Sequence, residues 1–174
     1  MKKKIVLIVC LAVIILIAVF WSSESNYSIV ADYKDATYLI DGREVQLTNG
    51  LAEEENTQGS ASKTIIRYFG NKVAGDFNGD GTNDTAFLLT QNTGGSGTFF
   101  YIAVALGDGD GYKGANAILL GDRIAPQTTE FRDGKIIVNY ADRKADESFA
   151  VRPSIGVSRY FEISDDKLVE ASSK

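Results

Sequence analysis

The chain has 174 residues, enough for one domain with its own core, and carries 18 Lys and Arg against 23 Asp and Glu. It contains no histidine, and its single cysteine is Cys10. These counts exclude a disulfide within the chain, the Ser–His–Asp and Cys–His arrangements of hydrolases, and the usual zinc sites. The net charge of −5 argues against nucleic acid or anionic lipid as a partner, because both are negatively charged.

A basic start and an apolar run open the chain. Three lysines at positions 2–4 precede an uninterrupted apolar run over 5–21. At about 1.5 Å per residue, such a run in a helix is just long enough for a bilayer. The basic start predicts a cytoplasmic amino terminus and an exported remainder. A cleaved signal peptide and a lipoprotein signal at Cys10 are the alternatives. A cleaved signal peptide needs small residues at its cleavage site, where this chain has bulky ones. A lipoprotein signal needs a small residue before the cysteine, where this chain has Val9.

Short apolar segments separated by turn residues fill the rest of the chain and are typical of strands. Asp-Gly dipeptides at 41–42 and 133–134 each predict a hairpin, and the polar residues 164–166 predict a third. Residues 51–62 contain three consecutive glutamates, so we expect a loop there. The pattern predicts an all-β fold, an antiparallel β-sandwich or a partly open barrel or meander, preceded by one N-terminal transmembrane helix.

This pattern divides the chain into three parts. We expect a membrane anchor or uncleaved signal over 1–21, a linker over 22–34, and an extracytoplasmic all-β domain over 35–174. The protein would therefore be a single-pass protein of the cell membrane, with a cytoplasmic amino terminus and its folded domain outside. From Ser22 onward there are 15 Lys and Arg against 23 Asp and Glu, which suits a domain that binds cations.

Residues 76–84 have the spacing of a calcium loop, reading D-x-N-x-D-G-x-x-D. Alternate residues of a tightly turned loop can direct oxygen atoms at one centre, and a hard cation prefers oxygen ligands. Gly81 would adopt the backbone conformation that other residues avoid. The alternative is a solvated turn between two strands. The predicted calcium ligands are the side chains of Asp76, Asn78, Asp80 and Asp84 and the backbone carbonyl of Thr82.

The residues around this loop determine which kind of calcium site it can be. An EF-hand has a bidentate Glu at position 12 of its loop and a helix on each side. Position 12 here is Phe87, and the flanking segments 72–75 and 85–90 are short, mostly apolar and bounded by turn residues. The loop is therefore predicted to join two antiparallel strands.

The segment 69–84 resembles the start of an FG-GAP repeat, also called a VCBS-type repeat. It contains the Phe-Gly dipeptide, Val-Ala, Gly-Asp and the full loop motif in order, and 101–112 resembles the later V-x-L-G-x-G-D-G-x-F element. The resemblance implies a β-meander with calcium in its first hairpin loop. The Gly-Ala-Pro tripeptide of that family is absent and the repeat occurs once, so the resemblance does not extend to a propeller.

The part after the apolar run also resembles a family of bacterial envelope proteins to which no activity is assigned, in the stretches 120–130 and 137–143. Three carboxylates in or near these stretches, Asp122, Glu130 and Asp142, are the candidates for acid catalysis. Charged residues that alternate in sign on strands are more typical of a solvated face with cross-strand pairs. The expected function is therefore not enzymatic. We expect a binding or adhesion module with structural calcium, whose partner is an envelope protein or a glycan. The alternative is a carboxylate-dependent, glycosidase-like envelope hydrolase.

Overall fold

The computed structural model describes residues 28–56 and 62–173. The expected membrane anchor at 1–21 lies outside the described residues, as does the first part of the expected linker. Within the described part of the chain, no helix has both the length and the apolar character needed to cross a membrane.

The described residues form an all-β fold of eleven strands, with one short 3-10 turn at Tyr33–Asp35. The strands are β1 (Thr37–Ile40), β2 (Arg43–Gln46), β3 (Leu51–Glu55), β4 (Lys63–Gly75), β5 (Asp84–Asn92), β6 (Phe99–Asp108), β7 (Gly111–Asp122), β8 (Ala125–Arg132), β9 (Lys135–Asp142), β10 (Ile155–Ser164) and β11 (Lys167–Ala171). The three predicted hairpins are all confirmed, as β1–β2, β8–β9 and β10–β11.

Seven strands form one strongly curled sheet, in the order β2-β1-β7-β6-β5-β4-β3. Its two edge strands, β2 and β3, are consecutive in the chain, and Arg43 of β2 forms an ion pair with Glu54 of β3 at 3.4 Å. The sheet is therefore a nearly closed barrel. The remaining strands form a second, four-stranded sheet in the order β11-β10-β9-β8. The expected all-β class and the partly open barrel are thus confirmed, but the sheet is not wholly antiparallel, because β1 pairs with β7 in parallel.

The expectation of a loop over 51–62 is wrong for its first half, which forms the edge strand β3. Its glutamates suit an edge strand, because charged side chains protect an edge from pairing with other chains. Glu53 forms an ion pair with Lys63 of the neighbouring strand at 3.2 Å. The segment expected to be a linker is also partly structured. Val30 forms two backbone hydrogen bonds with Tyr112 at the start of β7, and the 3-10 turn follows.

Two hydrophobic cores hold the fold together, and strand β5 contributes to both. One core lies between the two sheets and includes Leu88 of β5 and Phe161 of β10, both fully buried. The other fills the barrel and includes Phe87 and Tyr38. Successive side chains of a strand point to opposite faces, so a strand covered on both faces reads as a continuous apolar run. The D-x-N-x-D-G-x-x-D segment ends at Asp84, the first residue of this most buried strand.

Candidate metal centre

The D-x-N-x-D-G segment forms the connection between β4 and β5, which are antiparallel as predicted. Gly75 pairs with Asp84 at the base of this hairpin. Gly81 has a φ of +86°, in the left-handed region that favours glycine, so the predicted backbone conformation is confirmed. Gly79 adopts the same region with a φ of +81°. The two glycines allow the chain to turn tightly around the side chain of Asp76.

The Asp76 carboxylate organises the first half of the loop. Its Oδ1 accepts hydrogen bonds from the backbone N–H groups of Gly79 at 2.7 Å and Asp80 at 3.1 Å. Its Oδ2 accepts from the N–H of Gly81 at 3.0 Å. Three successive amides therefore point at one exposed carboxylate. Such side-chain to backbone bonds replace the ladder bonds that a turn cannot make.

Asn78, Asp80 and Thr82 form the second group of contacts. The Asn78 amide donates to Oδ2 of Asp80 at 2.8 Å. Oδ1 of Asp80 accepts from the backbone N–H of Thr82 at 2.7 Å and from its hydroxyl at 2.5 Å. The Thr82 hydroxyl bond, and then its backbone N–H, lower the pKa of Asp80 below its usual value, because both stabilise the charged form. Asp80 therefore remains an anion at neutral pH and below.

Asp84 differs from the other acidic residues of the motif because it is fully buried. Its Oδ2 accepts from the backbone N–H of Phe77 at 2.7 Å, and its Oδ1 accepts from the N–H of Gly107 in β6 at 2.8 Å. Burial raises the pKa of Asp84, while these two hydrogen bonds oppose the rise. The negative charges of Asp80 and Asp76 raise it further, as expected when several carboxylates lie close together.

The loop borders a cavity of about 340 Å³ that two other turns also line. Asn78, Asp80 and Thr82 form the wall on the loop side, and Asp108 and Lys113 come from the β6–β7 hairpin. Asp166 of the β10–β11 turn completes it, and its carboxylate lies 3.7 Å from the Lys113 ammonium. The cavity is thus lined by oxygen atoms of one loop and by an ion pair that joins the two sheets.

The oxygen atoms of this loop fit a hard cation such as calcium, which binds carboxylate, amide and carbonyl oxygens. The described residues contain no group of three or more His, Cys, Asp or Glu arranged to hold a metal ion. A cation here would therefore need Asn78 and backbone oxygens in addition to Asp76 and Asp80. A carboxylate oxygen has more than one lone pair, so it can accept an N–H and still bind a cation.

The three candidate catalytic carboxylates are not gathered as a set, because Glu130 lies far from Asp142. Asp122 forms a bidentate ion pair with Arg123, and the hydrogen bond from that guanidinium lowers the pKa of Asp122, the opposite of what a general acid needs. Glu130 pairs with Ile137 in the β8–β9 ladder, and Asp142 lies five residues further along β9. At about 3.3 Å per residue they are roughly 17 Å apart, beyond the reach of a glycosidase pair.

Comparisons with known proteins assign no family to the chain. No family model matches it, and neither the curated proteins nor the solved structures gave a match.

Two residues that the motif did not single out are prominent in the geometry. Gly107 binds the loop from β6, and Phe77, the second residue of the motif, is buried. An aromatic residue between Asp76 and Asn78 was the only sequence signal for either role.

Proposed function

We propose that the β4–β5 loop binds one calcium ion and that the chain is a membrane-anchored, extracytoplasmic β domain. The observation that carries the proposal is the arrangement of Asp76, whose carboxylate gathers three successive backbone amides while Gly81 takes a left-handed conformation. A tight turn of this kind can direct the oxygens of alternate loop residues at one centre, as a calcium loop requires. The resemblance of 69–84 to an FG-GAP or VCBS-type repeat supports the same site.

In this proposal the exposed half of the loop supplies the ligands. Asp76, Asn78 and Asp80 offer side-chain oxygens, and Thr82 offers its backbone carbonyl. Calcium would supply positive charge that offsets the mutual repulsion of the loop carboxylates. Ligand binding to the folded state alone raises the free energy of unfolding by RT ln(1 + [L]/Kd), so the ion would stabilise the domain.

The position of Phe77 favours a structural role for the ion. Its side chain is buried between the sheets, and its ring centroid lies 4.7 Å from that of Phe131 in β8. The residue therefore connects the loop of the barrel to the smaller sheet. Neighbouring Asp76 is the first proposed ligand, so an ion that orders the loop would also hold Phe77 in the core. A structural ion would strengthen the packing of the two sheets in this way.

The cellular setting is proposed from the sequence. The apolar run over 5–21 would anchor the chain in the cell membrane as a single transmembrane helix, and the domain would lie outside the cytoplasm. The eight residues from Ser22 to Ile29 can span at most about 27 Å, so the domain would remain close to the membrane.

The separation of Glu130 from Asp142 favours binding over acid catalysis. The proposed activity is a binding or adhesion-type contact with an envelope protein or glycan.

Thermal unfolding with and without calcium tests the site. If the dissociation constant is about 10 μM, 1 mM calcium adds about 2.7 kcal/mol and raises the Tm by roughly 5–11 °C for a domain of this size. Asp80→Ala should abolish the rise, because it removes a proposed ligand. Asp110→Ala is the matched control, since Asp110 is an exposed acid outside the loop, and it should keep the rise. A wild-type chain whose Tm is unchanged at millimolar calcium would refute the proposal.

A further inference from the structure

We infer that Asp84 is a positioning residue and not a calcium ligand, although it occupies the ninth place of the motif. Its buried carboxylate fastens the end of the loop to β6 through Gly107 and so shapes the loop before any ion binds. The inference rests on the proposed calcium site and assigns different tasks to the two halves of the loop.

The surroundings of Asp84 leave its carboxylate buried and already hydrogen-bonded at both oxygens. Both of its oxygens accept backbone hydrogen bonds, from Phe77 at 2.7 Å and Gly107 at 2.8 Å, and the side chain is 0% exposed. Asp76 and Asp80 are exposed. A cation coordinated by Asp84 would need space beside a carboxylate that has no contact with solvent. Turning the carboxylate outward would leave two N–H groups unpaired in the interior, which is costly.

Gly107 of β6 packs closely against the end of the loop. Besides donating to Asp84, Gly107 places its carbonyl oxygen 3.0 Å from the Thr82 hydroxyl, whose single proton is shared between this carbonyl and Asp80. A Cβ at Gly107 would lie 2.8 Å from the carbonyl oxygen of Asn83 and 3.0 Å from the Thr82 hydroxyl oxygen. The loop from Thr82 to Asp84 therefore rests directly on the backbone of β6, with no space between them.

These contacts separate a fixed half of the loop from a ligand half. Asn83 and Asp84 are held against β6, and Asp76 to Asp80 presents exposed oxygens. Thr82, whose hydroxyl contacts β6 and whose carbonyl is the remaining proposed ligand, lies at the boundary between the two halves. A site whose shape is fixed beforehand binds more tightly, because less conformational freedom is lost on binding. Residues that orient metal ligands without touching the metal typically change metal affinity by roughly 10- to 100-fold when mutated. Asp84 should act in this way.

Terbium(III), which occupies calcium sites, provides the test on the full-length chain in detergent. The number of water molecules on bound terbium follows from its luminescence lifetimes in H₂O and D₂O. Asp84→Ala should leave this number unchanged and weaken terbium binding by roughly 10- to 100-fold. Asp80→Ala is the control for a true ligand. At terbium concentrations high enough to saturate its weakened site, it should add water to the ion. Asp84→Asn is the gentler variant if the alanine variant does not fold. It loses one acceptor, so its Tm without metal should fall by about 3–10 °C.

The outcomes separate the two proposals. An extra water molecule on terbium in Asp84→Ala, in a chain whose wild type binds the ion, would show that Asp84 is a ligand and overturn the inference alone. An Asp84→Asn variant with unchanged Tm and unchanged terbium affinity would also overturn it. A wild-type chain that binds neither terbium nor calcium would refute the calcium site itself, and with it the positioning role.

Discussion

Truncation of Phe77 tests the link between the loop and the packing of the two sheets. The side chain is 7% exposed although it belongs to a surface loop, and it contacts Phe131 of the smaller sheet. Replacing a core Phe with Ala costs about 3–5 kcal/mol. Phe77 lies at the edge of the core, where neighbouring groups can relax, so we expect a loss near the lower limit, about 3 kcal/mol. For a domain of about 150 residues, this corresponds to a fall in Tm of roughly 6–12 °C.

The assay is thermal unfolding followed by circular dichroism in the presence of a chelator, so that the result reports packing without metal. Phe149→Ala is the matched control, because it removes the same side chain from a position that is 53% exposed. Phe149 lies over the Arg123 guanidinium at 3.7 Å, so a loss of up to about 1 kcal/mol is expected there. Equal effects of the two substitutions would refute the reasoning that Phe77 connects the sheets.

Two further predictions concern Gly107 and the Arg159–Glu170 pair. Gly107→Ala should lower the free energy of unfolding by about 1–3 kcal/mol, because the new Cβ would lie 2.8 Å from the carbonyl oxygen of Asn83. Gly95→Ala is the control and should change this free energy little, because the space around Gly95 is open. Chemical denaturation measures both. Arg159 holds Glu170 by two hydrogen bonds of 2.7 Å, which lowers the pKa of Glu170. Its stabilising contribution is therefore present above the unfolded pKa of about 4.3 and is lost as the pH falls through the lower folded value. Carboxyl NMR titration should show Arg159→Gln raising that pKa, and an unchanged value would contradict the pairing.

The hairpins could be predicted from the sequence because their turns are encoded locally. Asp41 and Gly42 both have positive φ angles, 51° and 76°, as a two-residue hairpin turn requires. The strand β3 could not be predicted in the same way. Its three glutamates predict a loop. The segment forms a strand because β4 pairs with one side of it and because Glu54 forms an ion pair with Arg43 of β2 on the other. Such tertiary contacts override local propensity and are not visible in the segment itself.

The loop and the conformation of Gly81 were predictable for a similar reason, since the motif is contiguous. The burial of Asp84 was not, because it depends on Gly107, a residue 23 positions away that the β5–β6 pairing brings alongside. Spacing identifies which residues carry oxygen atoms, but the sheet register determines which of those oxygens face the interior. The motif alone therefore assigned Asp84 the same role as Asp80.

Isothermal titration of the wild-type chain with calcium tests the central claim most directly. We expect one calcium ion to bind per chain, with a dissociation constant between about 10 μM and 1 mM, the weaker end of which is typical of calcium modules outside cells. Asp80→Ala should eliminate the binding heat. A wild-type titration that shows no binding up to several millimolar calcium would contradict the account, and the β4–β5 loop would then be a hydrogen-bonded turn between two strands.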